Sequence, residues 1–316
     1  MALKVLGFYK GLNDRTQGYR YFRQYGSLLD EAALFQIAIQ NNGELRGRPS
    51  RSLIAEMHNL GIKVLAAITN LTAQGLFSPE LIRRLARNKE FAGQVWRAIK
   101  DLLLFYKFDG VNLDLAKGFP EDRQLFTELI RSWTQQFQQE NFLVSLAIPG
   151  KTTDEPGDIG KGTFDYQALG ETVDQVVIMS SEEHRPGSRP GSIASLPWVT
   201  QVLRYALENI SPAKIFMGIP LYGYDWTGPG RAQVLGFERA HQTAKRFGVP
   251  LQWDDQQHST YFTYQLRNQK HTVYFEDLRS LTEKLALAQD RGIGGVAVWE
   301  INLSYAGFWE ALQSYI

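Results

Sequence analysis

Three polar residues interrupt an apolar segment near position 110 and are the first candidates for chemistry. The segment at 108–116 reads FDGVNLDLA and contains Asp109, Asn112 and Asp114. Asn112 and Asp114 lie two residues apart, so on a strand they share one face. A carboxylate on the inner face of a packed strand costs free energy unless hydrogen bonds satisfy it or it meets a cationic transition state. Two interpretations stay open: a structural aspartate held by backbone amides, and a catalytic carboxylate.

Polar and aromatic side chains also cluster at the ends of other apolar runs. The run ending at 179 continues as SSEEH, which either lines a site or forms a solvated loop, and 218–226 reads GIPLYGYDW. Aromatic rings beside an acid suit the stacking of sugars, although aromatic rings equally fill large cores. The candidate ligand contacts at these ends are Tyr9, Ser181, Glu182, Tyr222, Tyr224, Asp225 and Trp299.

Other chemistries find no support in the sequence. Zinc-protease, phosphate-loop, nucleophile-elbow and dinucleotide-binding motifs are absent. Cysteine is absent and the five histidines are scattered without metal-ligand spacing, so we expect neither a metal nor a cofactor. With 34 Lys and Arg against 33 Asp and Glu, no net field favours nucleic acid, and no apolar window reaches the length of a membrane span. The oligomeric state stays open.

The elements that must position these residues alternate along the chain as in repeated βα units. Eight short apolar runs, rich in Val, Ile and Leu, predict buried parallel strands. They are 4–9, 34–39, 63–69, 110–115, 143–148, 175–179, 214–220 and 295–299. Amphipathic segments at 88–106, 122–137 and 196–207 predict crossover helices, with Asn88 and Ser195 as N-caps. Polar residues at the carboxyl ends of such strands face the mouth of a barrel.

The regular spacing breaks between the seventh and eighth strands. More than seventy residues intervene, and 253–275 alternates aromatic, Thr and Val residues in the manner of a hairpin. We predict an α/β chain of 316 residues that forms a single TIM (β/α)8 barrel, with a small α+β insertion at about 230–275. The insertion contains a helix at 235–247, and the last crossover helix covers 276–290.

The segment at 108–116 resembles the fourth-strand signature of glycoside hydrolase family 18, DGxDxDxE. Asp109, Gly110 and Asp114 match it, Asn112 stands at the middle Asp, and Ala116 stands at the final Glu. Segments 179–184, 194–207 and 217–227 and the closing VAVWEINLSYAGFW are also similar to that family, in its branch associated with spore cortex and peptidoglycan. The resemblance implies a location in the cell envelope, in the spore or outside the cell.

The resemblance implies a substrate-assisted retaining mechanism in which the N-acetyl group of the substrate is the nucleophile. In that scheme the final Glu protonates the leaving oxygen, Asp114 orients the acetamido group, and a Tyr at the position of Ser181 holds its carbonyl, with Glu182 at the following Asp. Ala116 cannot donate a proton, and general acid catalysis contributes ~10² to 10⁴ in rate. Hydrolysis is then expected to be impaired or lost.

Three hypotheses follow from this resemblance. The first is a barrel that binds an N-acetylglucosamine-containing glycan, either peptidoglycan or a chitin-like polymer, without efficient hydrolysis. The second is an active N-acetylglucosaminidase captured as a Glu-to-Ala variant at position 116, and the third is a scaffold for a protein partner. The second departure from the family pattern, at Ser181, favours a natural origin for Ala116.

Overall fold

The computed structural model describes residues 2–10, 17–228 and 230–316. Its strands are β1 (Lys4–Tyr9), β2 (Glu31–Ile39), β3 (Leu45–Arg46), β4 (Lys63–Thr69), β5 (Gly110–Asp114), β6 (Leu143–Pro149), β7 (Gln175–Met179), β8 (Ile215–Pro220), β9 (Tyr222–Trp226), β10 (Ala232–Gly236), β11 (Gln252–Asp254), β12 (Ser259–Leu266), β13 (Gln269–Phe275) and β14 (Gly295–Trp299). Its helices are α1 (Gln17–Tyr25), α2 (Arg51–Asn59), α3 (Pro79–Arg87), α4 (Lys89–Tyr106), α5 (Arg123–Gln139), α6 (Tyr166–Thr172), α7 (Leu196–Asn209), α8 (Phe237–Phe247), α9 (Leu278–Asp290) and α10 (Ala306–Leu312).

Eight parallel strands close into a barrel in the order β1, β2, β4, β5, β6, β7, β8, β14, and β14 pairs with β1. Helices follow the strands around the outside, which confirms the predicted TIM barrel. The predicted strands match the observed ones closely, and the largest difference is at β2, which begins at Glu31 instead of 34. Glu31 is buried and accepts a hydrogen bond of 2.6 Å from Gln175 Nε2, so tertiary contacts extend the strand over residues that do not resemble a buried strand.

The predicted caps hold the crossover helices. Asn88 accepts a hydrogen bond from the backbone N–H of Phe91 at the start of α4, and Ser195 accepts one from Trp198 at the start of α7. These caps satisfy backbone donors that the first helical turn leaves without a partner. The helices therefore begin where the sequence predicts.

The strands divide the core into two layers because their side chains alternate between faces. Large apolar side chains on the outer face pack against the helices in one extensive cluster. The inner face carries a smaller cluster with several alanines, among them Ala33, Ala67, Ala147 and Ala297. Small inner residues toward the carboxyl ends leave space for a cavity in the mouth of the barrel.

A second sheet lies between β8 and β14 of the barrel, where we predicted the insertion. It is antiparallel in the order β10, β9, β13, β12, β11, and α8 packs against it through Ala240 and Ala244. The sheet begins with β9 at Tyr222, ahead of the predicted start at 230. Only Leu221 separates β9 from barrel strand β8, so the apolar sequence runs across both sheets without a visible break.

Candidate functional site

A cleft of about 520 Å³ opens at the carboxyl ends of the barrel strands. Its floor consists of Ala147, Val177, Gly218 and Ala297, one small residue from each of four strands. A Cβ atom on Gly218 would lie 2.8 Å from the carbonyl oxygen of Ile178, so the close approach of β7 and β8 requires glycine. The cleft brings together six of the predicted site residues, which are Asp114, Ser181, Glu182, Tyr222, Tyr224 and Trp299.

Asp114 is the acidic group in the depth of the cleft. Its residue surface is 5% exposed, and no hydrogen bond reaches its buried Oδ1 from any residue that the structure describes. Burial raises the pKa of Asp114 to about 7, because removal from water disfavours the charged form. A carboxyl group with an unused oxygen in an apolar cleft is suited to a polar ligand group such as an amide N–H.

The backbone around Ala116 is fixed by the side chain of Asn70. Asn70 Nδ2 donates to the Ala116 carbonyl at 2.9 Å, and the Ala116 N–H donates to Asn70 Oδ1 at 3.0 Å. Asn70 Nδ2 also donates to the carbonyl of Ser78, so both amide hydrogens of Asn70 are used. Position 116 thus has a fixed backbone, two residues beyond Asp114, and a side chain of one methyl group.

Trp299 forms an aromatic wall of the cleft. Its ring contacts Phe35 edge-on at a centroid distance of 4.8 Å and Phe8 at 5.2 Å. All three residues line the cleft, and only Trp299 is partly exposed. A ring held by two neighbours and open on one side is an arrangement that stacks on sugars.

Glu182 links the loop after β7 to the second sheet. The hydroxyls of Tyr222 and Tyr224 both donate to Glu182 Oε1, the latter at 2.8 Å. Glu182 has a φ of 70°, a left-handed conformation that non-glycine residues adopt rarely. Burial and the neighbouring Glu182 raise the pKa of both tyrosines, so their hydroxyls stay protonated donors. Ser181 lies beside this group on the cleft wall.

Several residues that line the cleft are not predicted from the sequence. Phe8 and Phe35 resemble core residues, and no sequence signal separates them from the core. Lys10 and Glu300 follow β1 and β14, where the rule for strand ends would have found them. Burial raises the pKa of Glu300, which Lys10 opposes. Asn70, which is hydrogen-bonded to the backbone of Ala116 and does not line the cleft, directly follows β4 and carries the same signal.

The prediction of Asp109 as a catalytic residue is wrong, because Asp109 lies at the opposite end of the barrel. It precedes β5, and its Oδ2 accepts the N–H of Val64 at 2.7 Å and lies 2.9 Å from His58 Nε2. Asn112 is fully buried inside the barrel and donates to Ser145 Oγ at 2.9 Å. It lies below the cleft and contributes to the packing under Asp114.

Tyr9 and Asp225, predicted as ligand contacts, both point away from the cleft. Tyr9 is buried in the cluster between strands and helices, because its neighbour Phe8 takes the inner face of β1. Asp225 lies on the opposite face of β9 from Tyr222 and Tyr224. Its carboxylate accepts a hydrogen bond of 2.6 Å from the Tyr264 hydroxyl, inside the second sheet. Both errors follow from the two-residue alternation of a strand.

No group of three His, Asp or Glu side chains within 2–10, 17–228 and 230–316 is placed to hold a metal ion. Over the same residues, no helix combines the length and apolarity that a membrane crossing requires.

The fold and the cleft define a (β/α)8 barrel with a ligand-sized cleft at the carboxyl ends of its strands, and comparison with known proteins identifies the family. The family model described as Glycosyl hydrolases family 18 matches residues 26–303. The chain therefore belongs to glycoside hydrolase family 18.

Similar proteins include spore enzymes and chitinases. The cortical fragment-lytic enzyme of Bacillus subtilis is 29% identical over 297 residues, which cover 92% of this chain and 69% of that protein. The crystal structure of the Bacillus cereus spore cortex-lytic enzyme SleL superposes with a TM-score of 0.91 at 26% identity, over 99% of this chain and 74% of the other. A chitinase structure from Chromobacterium violaceum gives the same score and identity and covers 99% and 98%.

Proposed function

We propose that this protein binds an N-acetylglucosamine-containing glycan, peptidoglycan or a chitin-like polymer, in the barrel cleft and that its hydrolytic activity is impaired or lost. The observation that carries the proposal is the side chain at position 116. Family resemblance assigns the proton donor to that position, and Ala116 has no ionisable group. The backbone carbonyl and N–H of Ala116 are both hydrogen-bonded to the side chain of Asn70. A small shift of the main chain therefore does not bring another proton donor to this position.

The binding half of the proposal is supported by the cleft itself. Asp114 has a free buried oxygen for an acetamido N–H, and Trp299 offers a ring face for a sugar. Relatives named as chitinase and cortex-lytic enzymes act on glycans of this class. These groups support the proposal that such a glycan binds in the cleft.

The hydrolytic half depends on whether another acid replaces the missing one. The family resemblance makes Glu182 a candidate for the replacement acid. Its Oε1, however, already accepts hydrogen bonds from Tyr222 and Tyr224. Ser181 stands where the resemblance places the tyrosine that holds the acetamido carbonyl. Two functional groups of one mechanism are therefore missing, which supports binding without efficient turnover.

Calorimetric titration with a chitin hexasaccharide tests the binding. We expect a saturable heat for the unmodified protein and an affinity weakened roughly tenfold or more in Trp299→Ala, because the lost ring contact is worth ~1.5 kcal/mol or more. Trp253→Ala is the matched control: Trp253 is partly exposed, packs under Arg279 at 3.7 Å and does not line the cleft. Absence of binding by the unmodified protein, or equal affinity in Trp299→Ala, would contradict the proposal.

A further inference from the structure

A second cavity, of about 440 Å³, lies in the insertion between α8 and the second sheet. This volume is in the range of pockets that hold small ligands. We call it the insertion pocket, and define it by the residues Asp225, Arg239, Gln242, Arg246, Tyr264 and His271 that line it. None of the chemistry of the barrel cleft requires these side chains.

One wall of the insertion pocket is a polar stripe of α8. Arg239, Gln242, Thr243 and Arg246 are spaced by three or four residues, which places them on one face of the helix. Both guanidinium groups belong to exposed residues, and neither has an ion-pair partner among the residues that the structure describes. The only carboxylate of α8, Glu238, accepts a hydrogen bond from Tyr21.

The other wall is an aromatic stack on the sheet. The ring of Tyr264 stacks on Phe247 at 4.3 Å and on His271 at 4.3 Å. His271 Nδ1 lies 2.8 Å from Asp225 Oδ1, and the Tyr264 hydroxyl donates to the other oxygen of Asp225. The carboxylate of Asp225 is thus occupied on both oxygens, whereas His271 Nε2 makes no hydrogen bond to the described part of the chain.

These walls define the chemistry of a ligand. The pocket presents two guanidinium groups that have no ion-pair partner in the described part of the chain, and one carboxylate that already has two partners. Guanidinium groups bind carboxylates in a fork geometry, and the aromatic wall accommodates the apolar part of the same ligand. A carboxylate attached to a sugar or a short carbon chain fits both walls.

The insertion pocket adjoins the barrel cleft. Val234 of β10 lines both cavities and is 53% exposed, and β10 is the edge strand of the second sheet. A chain that leaves the cleft across β10 would pass Val234 and enter the insertion pocket, whose lining includes Arg239 and Arg246. We propose that the insertion pocket binds a carboxylate of the glycan whose sugar rings occupy the cleft, so that the preferred ligand is an acidic polysaccharide. This inference rests on the proposed function.

Two oligosaccharides of equal length test whether the protein prefers an acidic glycan to a neutral one. The neutral ligand is chitin tetrasaccharide. The acidic ligand is the peptide-free peptidoglycan tetrasaccharide, in which alternate units carry a lactyl carboxylate. Exposed ion pairs contribute up to about fivefold in affinity each. We expect the unmodified protein to prefer the acidic tetrasaccharide by roughly fivefold to twentyfold. The preference should decline as NaCl rises from about 0.05 M to about 1 M, because exposed charges are screened.

The double variant Arg239→Gln/Arg246→Gln should lose this preference and keep its affinity for the neutral tetrasaccharide. Lys245→Gln, which removes an exposed cation of α8 outside the pocket, should retain the preference. Equal affinity of the unmodified protein for the two ligands, or a preference that survives the double variant, would overturn the inference and leave the proposed function intact. Failure of both ligands to bind would overturn the proposed function, and the inference with it.

Discussion

At the residue scale, Asp114 combines a structural cost with a functional use. Its carboxyl group is buried, and none of the described residues donates a hydrogen bond to Oδ1, so burial destabilises the charged form. The same unused oxygen is available to an acetamido N–H of a ligand. We therefore propose that Asp114 lowers the stability of the protein in return for ligand binding, and this cost in stability depends on pH.

The pH dependence of stability has a defined direction. Folding raises the pKa of Asp114 from 3.8 to about 7, so between these values the folded state binds more protons than the unfolded state. The free energy of unfolding therefore falls as pH rises through this window. Asp114→Asn removes the ionisation, and we expect it to raise the melting temperature by several degrees at pH 8 relative to the unmodified protein, with the difference vanishing near pH 4.

Thermal unfolding at a series of pH values measures this difference. Asp101→Asn on the exposed face of α4 is the control and should change the melting temperature little at any pH. If the melting temperatures of Asp114→Asn and the unmodified protein differed by the same amount at every pH, burial would not set the pKa of Asp114.

At the element scale, strand β5 shows how one strand serves two ends of the barrel. Asp114 at its carboxyl end lies in the cleft, whereas Asp109 at its amino end binds the backbone of β4 through Val64. The same contact recurs twice, since Asp30 Oδ2 accepts the N–H of Val5 and Asp174 Oδ2 accepts that of Val144. Aspartates that precede strands therefore fix neighbouring strands at the bottom of the barrel.

Removal of the Asp109 carboxylate should affect stability and not ligand binding. We expect Asp109→Ala to lower the free energy of unfolding by about 1–2 kcal/mol, because a charge-assisted hydrogen bond to a backbone N–H is lost at a partly exposed position. Denaturant unfolding and glycan titration measure the two effects. Asp255→Ala, an exposed residue in a turn of the second sheet, should change neither. A large loss of glycan affinity in Asp109→Ala would contradict the structural role.

The sequence predicts the elements better than it predicts the faces of the strands. Buried parallel strands such as β1 and β4 are continuous apolar runs, so their bounds are readable, as are the caps Asn88 and Ser195. The same continuity conceals which side chains face inward. Residue type alone predicts Tyr9 and Asp225 as ligand contacts, although strand alternation places both on the other face.

The aromatic part of the cleft could not be found from sequence. Phe8 and Phe35 differ from core phenylalanines only through the cavity above them, which depends on the small residues of four separate strands. Asn70, Lys10 and Glu300 could have been found, because each follows a barrel strand directly. A polar residue at that position is a signal even without a family motif.

At the scale of the whole molecule, the barrel and the insertion together form the surface at which we propose that the glycan binds. Glu182 of the barrel joins Tyr222 and Tyr224 of the second sheet by hydrogen bonds, and Val234 borders both cavities. The insertion therefore supplies one wall of the cleft as well as a cavity of its own. In the proposed function, ligand selection depends on both sheets, whereas the absence of an ionisable side chain at position 116 is a property of the segment that follows β5.

The most direct test of the central claim is the release of reducing ends from chitin hexasaccharide at a protein concentration that saturates binding. The double variant Ala116→Glu/Ser181→Tyr, which returns both groups that the family resemblance implies, serves as the positive comparison. We predict intact hexasaccharide after long incubation with the unmodified protein, and turnover at least ~10²-fold faster with the double variant. Steady release of reducing ends by the unmodified protein, blocked by Asp114→Asn, would contradict the account.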